Sequence, residues 1–467
     1  MLRKTKIIAT LGPATESAKA IEQLIAVGVN IFRLNMSHAK HKWTRDVVAR
    51  VRKASEKTGT TVAVLMDLQG PSIRTGVLEK PIALKPGDQL EVRSEDTEAE
   101  LKASTTSNYS GLSLDVSKGD TMLVDNGVLH LKILETREDR VICEVLTEGE
   151  LTSRRHINLP GVRVNLPGLT GKDKKDLALA AELDTDFVAM SFVRDAEHVQ
   201  LLRNTMKELD FDSRIVAKIE DQEAVKHIDE IILASDAVMV ARGDLGIEVH
   251  VEELPIIQRT ILQRSAVLGR KVIVATHMLE SMIENPVPTR AEVTDIANAV
   301  YEQADAIMLS GETSVGSYPA KCVEMFDRIA RRMEREPGAK FCANAELKTD
   351  KQKTVNSAVV LANSLEDAAI LVFTARGVMA NYVAHLRPER TPIFAFTPDP
   401  KICRALVMNR AVQPFLLDFH DDPNVMIDSA TQQLLAAGLI KENSSIVILS
   451  DVLAGKFVVD SILLKKV

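Results

Sequence analysis

Apolar runs and helix-period segments alternate along most of the chain. The run at 6–10 precedes an amphipathic stretch from 16 to 26, and the run at 29–35 leads to a helical pattern from about 42 to 57. Unbroken runs rich in Val and Ile are typical of parallel strands covered on both faces. Further runs lie at 61–67, 187–191, 215–219, 238–240, 271–276 and 306–310. These eight runs, separated mostly by helical stretches, predict an α/β fold, a closed (β/α)8 TIM barrel with its site where the strands end.

The segment between the third and fourth predicted strands has a different pattern. Short runs at 89–93, 121–124, 128–133 and 140–145 alternate apolar and polar residues, with turn signals such as Asp125-Asn-Gly127 between them. They predict a small all-β domain inserted into the barrel, which can close over the strand ends and exclude water. Prolines and glycines in 157–161 and 165–168 suit a hinge for it.

A further domain follows the barrel. A helical pattern runs from about 319 to 336, and Pro337-Gly338 with the polar stretch after it marks a boundary. Apolar runs at 369–373, 392–396 and 445–449 then alternate with helix patterns and predict an open α/β sheet. The predicted domains are the barrel at 1–70 and 168–345, the inserted β-barrel lid at 71–167 and a C-terminal α/β regulatory domain at 346–467.

Polar and charged groups recur where the predicted barrel strands end. A single cation and carboxylate pair is more simply explained as a structural salt bridge, but regular repetition on one rim favours chemistry. Glu220 and Asp244 suit a hard divalent ion such as Mg²⁺, and Arg33 and Lys218 suit a phosphate. Gly243 begins a predicted short helix whose free N–H groups suit a carboxylate. The full set is Thr10, Arg33, Asn35, Ser37, Asp67, Ser191, Lys218, Glu220, Arg242, Asp244, Thr276, Ser310 and Glu312.

Composition narrows the possible partners. The net charge of -7 and the 4% aromatic content argue against nucleic acid, and 45% hydrophobic with 26% charged residues is ordinary for a soluble globular protein. No signal peptide and no apolar run of about 18 residues occurs, so we expect a cytoplasmic protein with no membrane partner. The four cysteines are scattered and are interpreted as reduced packing residues. These patterns indicate a metal-assisted barrel enzyme acting on a small phosphorylated acid, without choosing the reaction.

A set of motifs in fixed order carries a family resemblance. They include Arg33-Leu-Asn-Met-Ser-His38, Asp67-Leu-Gln-Gly-Pro-Ser-Ile-Arg74, Ile215-Val-Ala-Lys-Ile-Glu220, Met239-Val-Ala-Arg-Gly-Asp-Leu-Gly246 and Met308-Leu-Ser-Gly-Glu-Thr313. Together with 6–13, 275–282 and 288–292, they resemble pyruvate kinase of the bacterial type across essentially the whole chain. The resemblance implies glycolytic transfer of the phosphoryl group of phosphoenolpyruvate to ADP, giving pyruvate and ATP.

The resemblance also implies roles for individual residues. Lys218, Arg33 and Thr276 are the expected catalytic residues. Arg33 binds the substrate phosphate, Lys218 stabilises the enolate and the phosphoryl group in flight, and Thr276 receives the substrate carboxylate with the backbone at Gly243 and Asp244.

The implied cofactors are Mg²⁺, or Mn²⁺, and K⁺. Glu220 and Asp244 match the Mg²⁺ ligands, and the K⁺ ligands are matched by Asn35, Ser37, Asp67 and the Leu68 carbonyl. The residues expected at the nucleotide are Asn35, His38, Arg74 and Arg155, and Arg155 stands where the family usually has lysine. Family members are usually homotetramers, so we expect one here.

Three departures from the family pattern bear on regulation and pH response. Ser72 lies where K⁺-dependent members carry glutamate and K⁺-independent members carry lysine, which leaves the requirement for K⁺ open. His277 replaces the usual glutamine; it is either a hydrogen-bonded neutral neighbour of Thr276 or a group that shifts the pH profile. The effector loop at 373–379 retains one hydroxyl, which predicts weak or absent activation by fructose 1,6-bisphosphate.

Two other classes of protein remain open at the level of sequence. A metal-dependent aldolase or another barrel enzyme using phosphoenolpyruvate or a keto acid shares the metal carboxylates but needs neither the inserted domain nor Arg74. A silent regulatory relative is expected to have lost part of the set Arg33, Lys218, Glu220, Asp244 and Thr276, and every member is present.

Overall fold

The barrel begins at the N-terminus of the computed structural model, which describes residues 2–454 and 457–467. Ser17 caps the first helix, since its hydroxyl accepts a hydrogen bond from the Ala20 amide at 3.2 Å. The second helix ends at Gly59, whose φ of 63° is a left-handed conformation that glycine adopts at little cost. The elements are β1 (Lys6–Thr10), α1 (Ala18–Ala26), β2 (Ile31–Asn35), α2 (His41–Thr58) and β3 (Ala63–Asp67).

The inserted segment is an all-β unit, as the alternating pattern predicted. Its two sheets have the strand orders β11-β7-β8-β9-β5-β6 and β10-β4. The sequence pattern missed β4, β6, β10 and β11, which are two to four residues long and too short to show a period. The elements are β4 (Ile82–Leu84), β5 (Gln89–Ser94), β6 (Ser104–Ser107), α3 (Leu112–Asp115), β7 (Thr121–Val124), β8 (Leu129–Arg137), β9 (Arg140–Val145), β10 (Gly149–Leu151) and β11 (Ile157–Asn158).

The chain then returns to the barrel and closes it. The strand order is β1-β16-β15-β14-β13-β12-β3-β2, so the predicted TIM barrel is confirmed. The elements are α4 (Gly171–Glu182), β12 (Phe187–Met190), α5 (Ala196–Glu208), β13 (Arg214–Ile219), α6 (Gln222–Lys226), α7 (Ile228–Ala234), β14 (Ala237–Ala241), α8 (Arg242–Glu248), α9 (Leu254–Leu268), β15 (Lys271–Ala275), a 3₁₀ turn (Glu280–Ile283), α10 (Arg290–Tyr301), β16 (Ala306–Leu309), α11 (Gly311–Ser314) and α12 (Pro319–Met333).

The interior of the barrel is a packed core. Ile8, Leu65, Val216, Met239 and Ile273 come from five different strands and are fully buried in one cluster. Side chains therefore fill the barrel, and polar chemistry is restricted to the strand ends.

The C-terminal segment forms the predicted α/β sheet. The strand order is β19-β18-β17-β20-β21, and β21 pairs antiparallel with β20 at the edge. The sequence pattern missed β19, where Gln413 and Pro414 interrupt the apolar run, and β21. The elements are a 3₁₀ turn (Phe341–Asn344), α13 (Asp350–Ser364), β17 (Ala368–Phe373), α14 (Val378–His385), β18 (Ile393–Thr397), α15 (Pro400–Leu406), β19 (Val412–Leu416), α16 (Pro423–Ala436), β20 (Ser445–Ala454) and β21 (Phe457–Lys466).

Buried ion pairs hold the C-terminal segment on the end of the barrel where strands begin. Arg387 donates to both carboxylate oxygens of Asp305 at 2.5 and 2.6 Å, and Asp305 immediately precedes β16. Arg404 reaches Asp186, which immediately precedes β12, at 2.5 Å. The opposite end, where the barrel strands finish, is thereby left to the inserted domain and the site.

A helix that crosses a bilayer needs about 20 consecutive, mostly apolar residues. Throughout residues 2–454 and 457–467, every helix is too short or too polar to cross a membrane.

Candidate active site

Lys218 lies at the centre of a buried cluster at the end of β13. Its Nζ is 2.8 Å from Glu220 Oε1 and 3.4 Å from Asp67 Oδ1, and it donates a hydrogen bond to Ser191 Oγ at 2.7 Å. Burial acts to lower the pKa of Lys218, but the Asp67 and Glu220 carboxylates outweigh it and raise that pKa above its usual range. Lys218 therefore carries a fixed positive charge at the mouth of the barrel.

Arg33 and Asp67 lie on neighbouring strands beside Lys218. Arg33 Nε donates to Asp67 Oδ2 at 2.7 Å, and Arg33 Nη1 donates to Thr10 Oγ1 at 3.1 Å. Burial acts to raise the pKa of Asp67, but Lys218 and Arg33 together hold it below the usual value. One ionised carboxylate thus positions two cations, the arrangement needed to receive a phosphate dianion.

Glu220 and Asp244 form the predicted carboxylate pair. Burial raises the pKa of Glu220 to about 7; the Lys218 charge opposes the rise and the Asp244 charge adds to it. The Phe192 amide donates to Glu220 Oε2 at 2.6 Å and fixes the orientation of that carboxylate. The mutual repulsion of these two carboxylates, which one lysine does not cancel, is what a bound cation would relieve.

The donor set fits Mg²⁺ held largely by water and substrate. Within the described residues, no group of three or more His, Cys, Asp or Glu side chains is placed to hold a metal by itself. Mg²⁺ typically takes one or two protein carboxylates and completes its shell with waters and phosphate oxygens. Glu220 and Asp244 match that requirement, and the same hard oxygen donors suit Mn²⁺.

The proposed K⁺ ligands gather at the adjacent ends of β2 and β3. Asn35 is paired in register with Asp67, and Asn35 Oδ1 accepts the Ser37 amide at 3.1 Å. Asp67 Oδ1 is buried and accepts no hydrogen bond within the part of the chain described, and the Leu68 carbonyl accepts the Ser191 hydroxyl at 2.8 Å. The Asp67 carboxylate, whose buried Oδ1 makes no hydrogen bond and meets Lys218 Nζ at 3.4 Å, lies among neutral oxygens, and this donor set fits a monovalent cation.

Thr276 and Gly243 are joined across the ends of β15 and β14. The Gly243 amide, expected to be free for the substrate carboxylate, donates to Thr276 Oγ1 at 2.8 Å, and that hydroxyl donates to the Ala275 carbonyl at 2.6 Å. Thr276 and His277 have φ values of 67° and 54°, so two successive residues with side chains adopt a left-handed conformation. Such backbone costs about 1–3 kcal/mol per residue and concentrates at functional sites.

Other rim groups from the sequence prediction serve the scaffold. Arg242 does not pair with Asp244; it bonds Asp295 at 2.7 Å and the Thr276 carbonyl at 2.5 Å. Glu312 accepts the amides of Leu279 at 3.1 Å and Ser310 at 2.7 Å. Arg242 and Glu312 are therefore explained as structural groups, an ion pair and a cap of backbone amides. The Lys218 cluster is not explained in this way.

The four predicted nucleotide residues are divided between the barrel and the inserted domain. Asn35 is the last residue of β2 and the exposed His38 follows that strand; no hydrogen bond or ion pair among the described residues joins either to Arg74 or Arg155. Arg74 Nε donates to Ser72 Oγ at 3.2 Å. Arg155 is 3.3 Å from Asp125 Oδ1, and its side chain is 42% exposed, which leaves part of its guanidinium available to a ligand.

The structure adds residues that sequence reasoning left without a role. Ser191 ends a predicted strand, so its position was visible in the sequence, but its bonds to Lys218 and Leu68 were not. His156 pairs with Arg74 in a β-bridge; burial lowers its pKa, while the nearby Asp244 charge acts to raise it. The inserted domain thus lies close to Asp244.

A second contact joins the inserted domain to the barrel. Asn158 Nδ2 donates to Glu248 Oε1 at 2.9 Å, and burial raises the pKa of Glu248 to about 7. No sequence motif marks this pair, because the two residues are 90 positions apart.

Comparison with known proteins gives matches over nearly the whole chain. The family profile described as "Pyruvate kinase, barrel domain" matches residues 2–323, and the profile "Pyruvate kinase, alpha/beta domain" matches residues 352–460.

Individual relatives agree with the profiles. The pyruvate kinase of Geobacillus stearothermophilus is 39% identical over 466 residues, covering 98% of this chain and 79% of that protein. That of Corynebacterium efficiens is 39% identical over 452 residues, covering 96% and 94%. A crystal structure of a pyruvate kinase from Cryptosporidium parvum superposes with a TM-score of 0.94 at 33% identity and covers 99% of this chain and 96% of that one.

Proposed function

The chain belongs to the pyruvate kinase family, and we propose that the cluster around Lys218, Glu220 and Asp244 is its catalytic centre. The protein is a phosphotransferase that moves the phosphoryl group of phosphoenolpyruvate to ADP and yields pyruvate and ATP.

Arg33 and Lys218 bind the substrate phosphate. Both cations are buried and are held by Asp67, which limits their movement and removes competing water. Charge-assisted hydrogen bonds in such a site are stronger than in water, so the phosphoryl group is positioned before transfer.

Lys218 has a second role as the electrostatic stabiliser of the reaction. Phosphoryl transfer passes through a loose transition state in which negative charge grows on the enolate oxygen and spreads over the phosphoryl oxygens. The Lys218 ammonium is fixed by Glu220 and Ser191 before the reaction begins, so stabilising this charge needs no reorganisation.

Two cations complete the site in this proposal. Glu220 and Asp244 hold Mg²⁺ or Mn²⁺, and Asn35, Ser37, Asp67 and the Leu68 carbonyl hold K⁺. When bound, the divalent ion supplies positive charge beside the transferring phosphoryl group.

Thr276 and the backbone at Gly243 and Asp244 receive the substrate carboxylate. In the structure the Gly243 amide donates to the Thr276 hydroxyl. The substrate carboxylate therefore takes the place of that hydroxyl as the acceptor for the Gly243 amide. The left-handed backbone at Thr276 turns this residue toward α8.

The nucleotide lies between the barrel mouth and the inserted domain. Arg74 and Arg155 meet the ADP phosphates, with Asn35 and His38 on the barrel side. The inserted domain, at 71–167, closes over the site, and Asn158 and Glu248 form part of its contact with the barrel. The barrel comprises 1–70 and 168–345, and 346–467 is the regulatory domain.

The assembly and location follow from the family resemblance. We expect a homotetramer acting in the cytoplasm, with no nucleic acid or membrane partner. Light scattering of the protein as it elutes from a size-exclusion column would measure the mass of the assembly. The mass of a dimer or a monomer would contradict the homotetramer.

The observation that carries the proposal is the contact of Lys218 with Glu220 and Asp67 in one buried cluster at the strand ends. A lactate dehydrogenase assay of pyruvate formation tests it. We expect NADH oxidation that requires phosphoenolpyruvate, ADP and Mg²⁺ together and that is lost in Lys218→Met. Pyruvate formation independent of ADP, or full activity of Lys218→Met, would contradict the proposal.

A further inference from the structure

A second cleft lies far from the barrel mouth, at the end of the barrel where strands begin. Its volume is about 600 Å³, within the usual range of small-molecule sites. The walls come from the ends of α10 and α12, the connecting segment at 337–347, α13 and the loop after α14. The barrel, the connection and the C-terminal segment therefore all contribute to one cleft.

Arg410 is a buried cation on the wall of this cleft without adequate partners. Its side chain is 5% exposed, and its Nε is buried without a hydrogen-bond acceptor. In the part of the chain that the structure describes, its guanidinium donates no hydrogen bond, and the ion pair found for it is a 3.9 Å approach to Glu334 Oε1. The Nε–H is one of the five N–H donors of arginine, and leaving it unsatisfied in a buried position costs free energy.

The carboxylate paired with the Arg410 guanidinium, that of Glu334, already accepts other hydrogen bonds. Glu334 accepts the backbone amides of Lys4 at 2.8 Å and Thr5 at 2.7 Å. Arg387, by comparison, is neutralised by two short bonds to Asp305. Burial lowers the pKa of Arg410, and the Glu334 charge offsets this only in part.

Lys4 adds a second buried cation at the same wall. Its Nζ donates to the backbone carbonyl of Glu389, a neutral acceptor, and its residue is 8% exposed. Burial lowers the pKa of Lys4 to about 8, with the Arg410 charge acting in the same direction. Two cations thus face one cleft and repel each other.

We propose that this cleft binds the phosphate group of a small phosphorylated metabolite, with Arg410 and Lys4 as its ligands. A phosphate dianion matches two cations in charge and offers enough oxygens for the guanidinium donors. Val300, Val359 and Leu386 supply apolar wall for the organic part, and Asn356 and Asn363 supply polar groups.

A ligand here connects the barrel to the C-terminal segment. The C-terminal segment is already joined to the barrel beside this cleft. The Arg410 amide donates to Asp305 Oδ1 at 3.3 Å, and the Ala411 amide donates to the Lys4 carbonyl at 2.9 Å. The inference does not depend on the reaction at the barrel mouth.

Peptide-resolved hydrogen exchange of the full chain, with and without inorganic phosphate, tests the proposal. We expect phosphate to slow exchange in peptides covering 339–347 and 355–363, which line the cleft. In Arg410→Met the phosphate concentration needed should rise about tenfold, as expected for loss of a charged hydrogen bond. Exchange near Lys218 reports phosphate at the barrel mouth separately and should respond as in the wild type.

Val360 provides variants that do not disturb the fold. It lines the cleft on α13 and is 61% exposed. Val360→Glu places a negative charge at the opening and should weaken the phosphate response, whereas the neutral Val360→Gln should retain it. No phosphate-dependent protection of these peptides in the wild type, or an equal response in the Val360→Glu and Val360→Gln proteins, would overturn the proposal, even if Arg410→Met fails to fold.

Discussion

Lys218 Nζ lies 2.8 Å from Glu220 Oε1, and the two residues are two positions apart at the end of β13, which finishes at Ile219. Side chains at this spacing project to the same side of a strand. At the mouth of the barrel this places the ammonium proposed to contact the phosphoryl group beside the carboxylate proposed to hold the divalent ion. Phosphate binding and cation binding are therefore expected to depend on each other.

Lys218→Met is expected to lower kcat far more than it raises KM for phosphoenolpyruvate. The lost charge acts mainly on the transition state, while Arg33 remains to bind the phosphate, and loss of one such group costs about 10²–10³ in kcat. Steady-state kinetics would measure both constants.

Lys226→Met is a matched control for this prediction. Lys226 is an exposed lysine on α6, where it pairs with Glu223 of the same helix. Its removal should leave both constants unchanged. A purely KM effect in Lys218→Met would contradict the role assigned to Lys218.

Glu248→Gln is expected to stabilise the metal-free protein at pH 8 but not at pH 5. The folded-state pKa of Glu248 is raised from 4.5 to about 7, so its stabilising contribution is present below pH 4.5 and is lost as the pH rises through 7. Glutamine keeps the oxygen that accepts from Asn158 and carries no charge. The pKa difference of Glu248 between the folded and unfolded protein corresponds to a change in the free energy of unfolding of roughly 3 kcal/mol at most.

Melting temperatures at both pH values would measure this effect. The exposed Glu150→Gln, in the inserted domain, is the control and should change neither temperature. Equal effects of Glu248→Gln at pH 5 and pH 8 would show that burial of the Glu248 charge is not their cause.

His277→Gln is expected to leave the pH profile of kcat/KM unchanged. The His277 side chain is 60% exposed, and Nε2 is 3.7 Å from Glu280 Oε2, a contact too long for a hydrogen bond. An exposed ring with this one weak partner has little means of affecting the buried cluster. A displaced acidic or basic limb in the variant would favour the titrating role for His277.

Ser72→Lys is expected to reduce the response of activity to K⁺. In the wild type we expect activity to fall when K⁺ is replaced by tetramethylammonium, since Asp67 Oδ1 is buried without a hydrogen bond. A lysine at position 72 would supply a monovalent charge of its own. Ser72→Thr retains the hydroxyl that accepts from Arg74 and is the control; an unchanged ratio of activities with and without K⁺ in Ser72→Lys would refute the idea.

Fructose 1,6-bisphosphate is expected to have little effect on half-saturating phosphoenolpyruvate. The one hydroxyl of the segment at 373–379 belongs to Thr374, which is 7% exposed, and α14 begins four residues later, at Val378. The exposed Arg376 remains as a charge without neighbouring hydroxyls in the loop. A large decrease in half-saturating phosphoenolpyruvate on adding the bisphosphate would contradict this prediction.

Much of the architecture was predictable from the sequence because it depends on local patterns. The barrel strands are short apolar runs without polar alternation, and β13 and β14 were located within one or two residues. The short strands β4 and β11, at three and two residues, carry no period and form only because neighbouring strands supply their hydrogen bonds.

The sequence by itself determined which groups lie at the barrel mouth, because successive parallel strands end at the same rim and each strand end carries its own residues. Tertiary structure alone decided which of them act together: Lys218 with Asp67 and Glu220, but Arg242 with Asp295. It also decided that the Arg410 guanidinium approaches Glu334 only at 3.9 Å, whereas Arg387 pairs with Asp305 at 2.5 Å. The reason is that charge pairing depends on distances of a few ångströms between segments far apart in the chain, which no local pattern encodes.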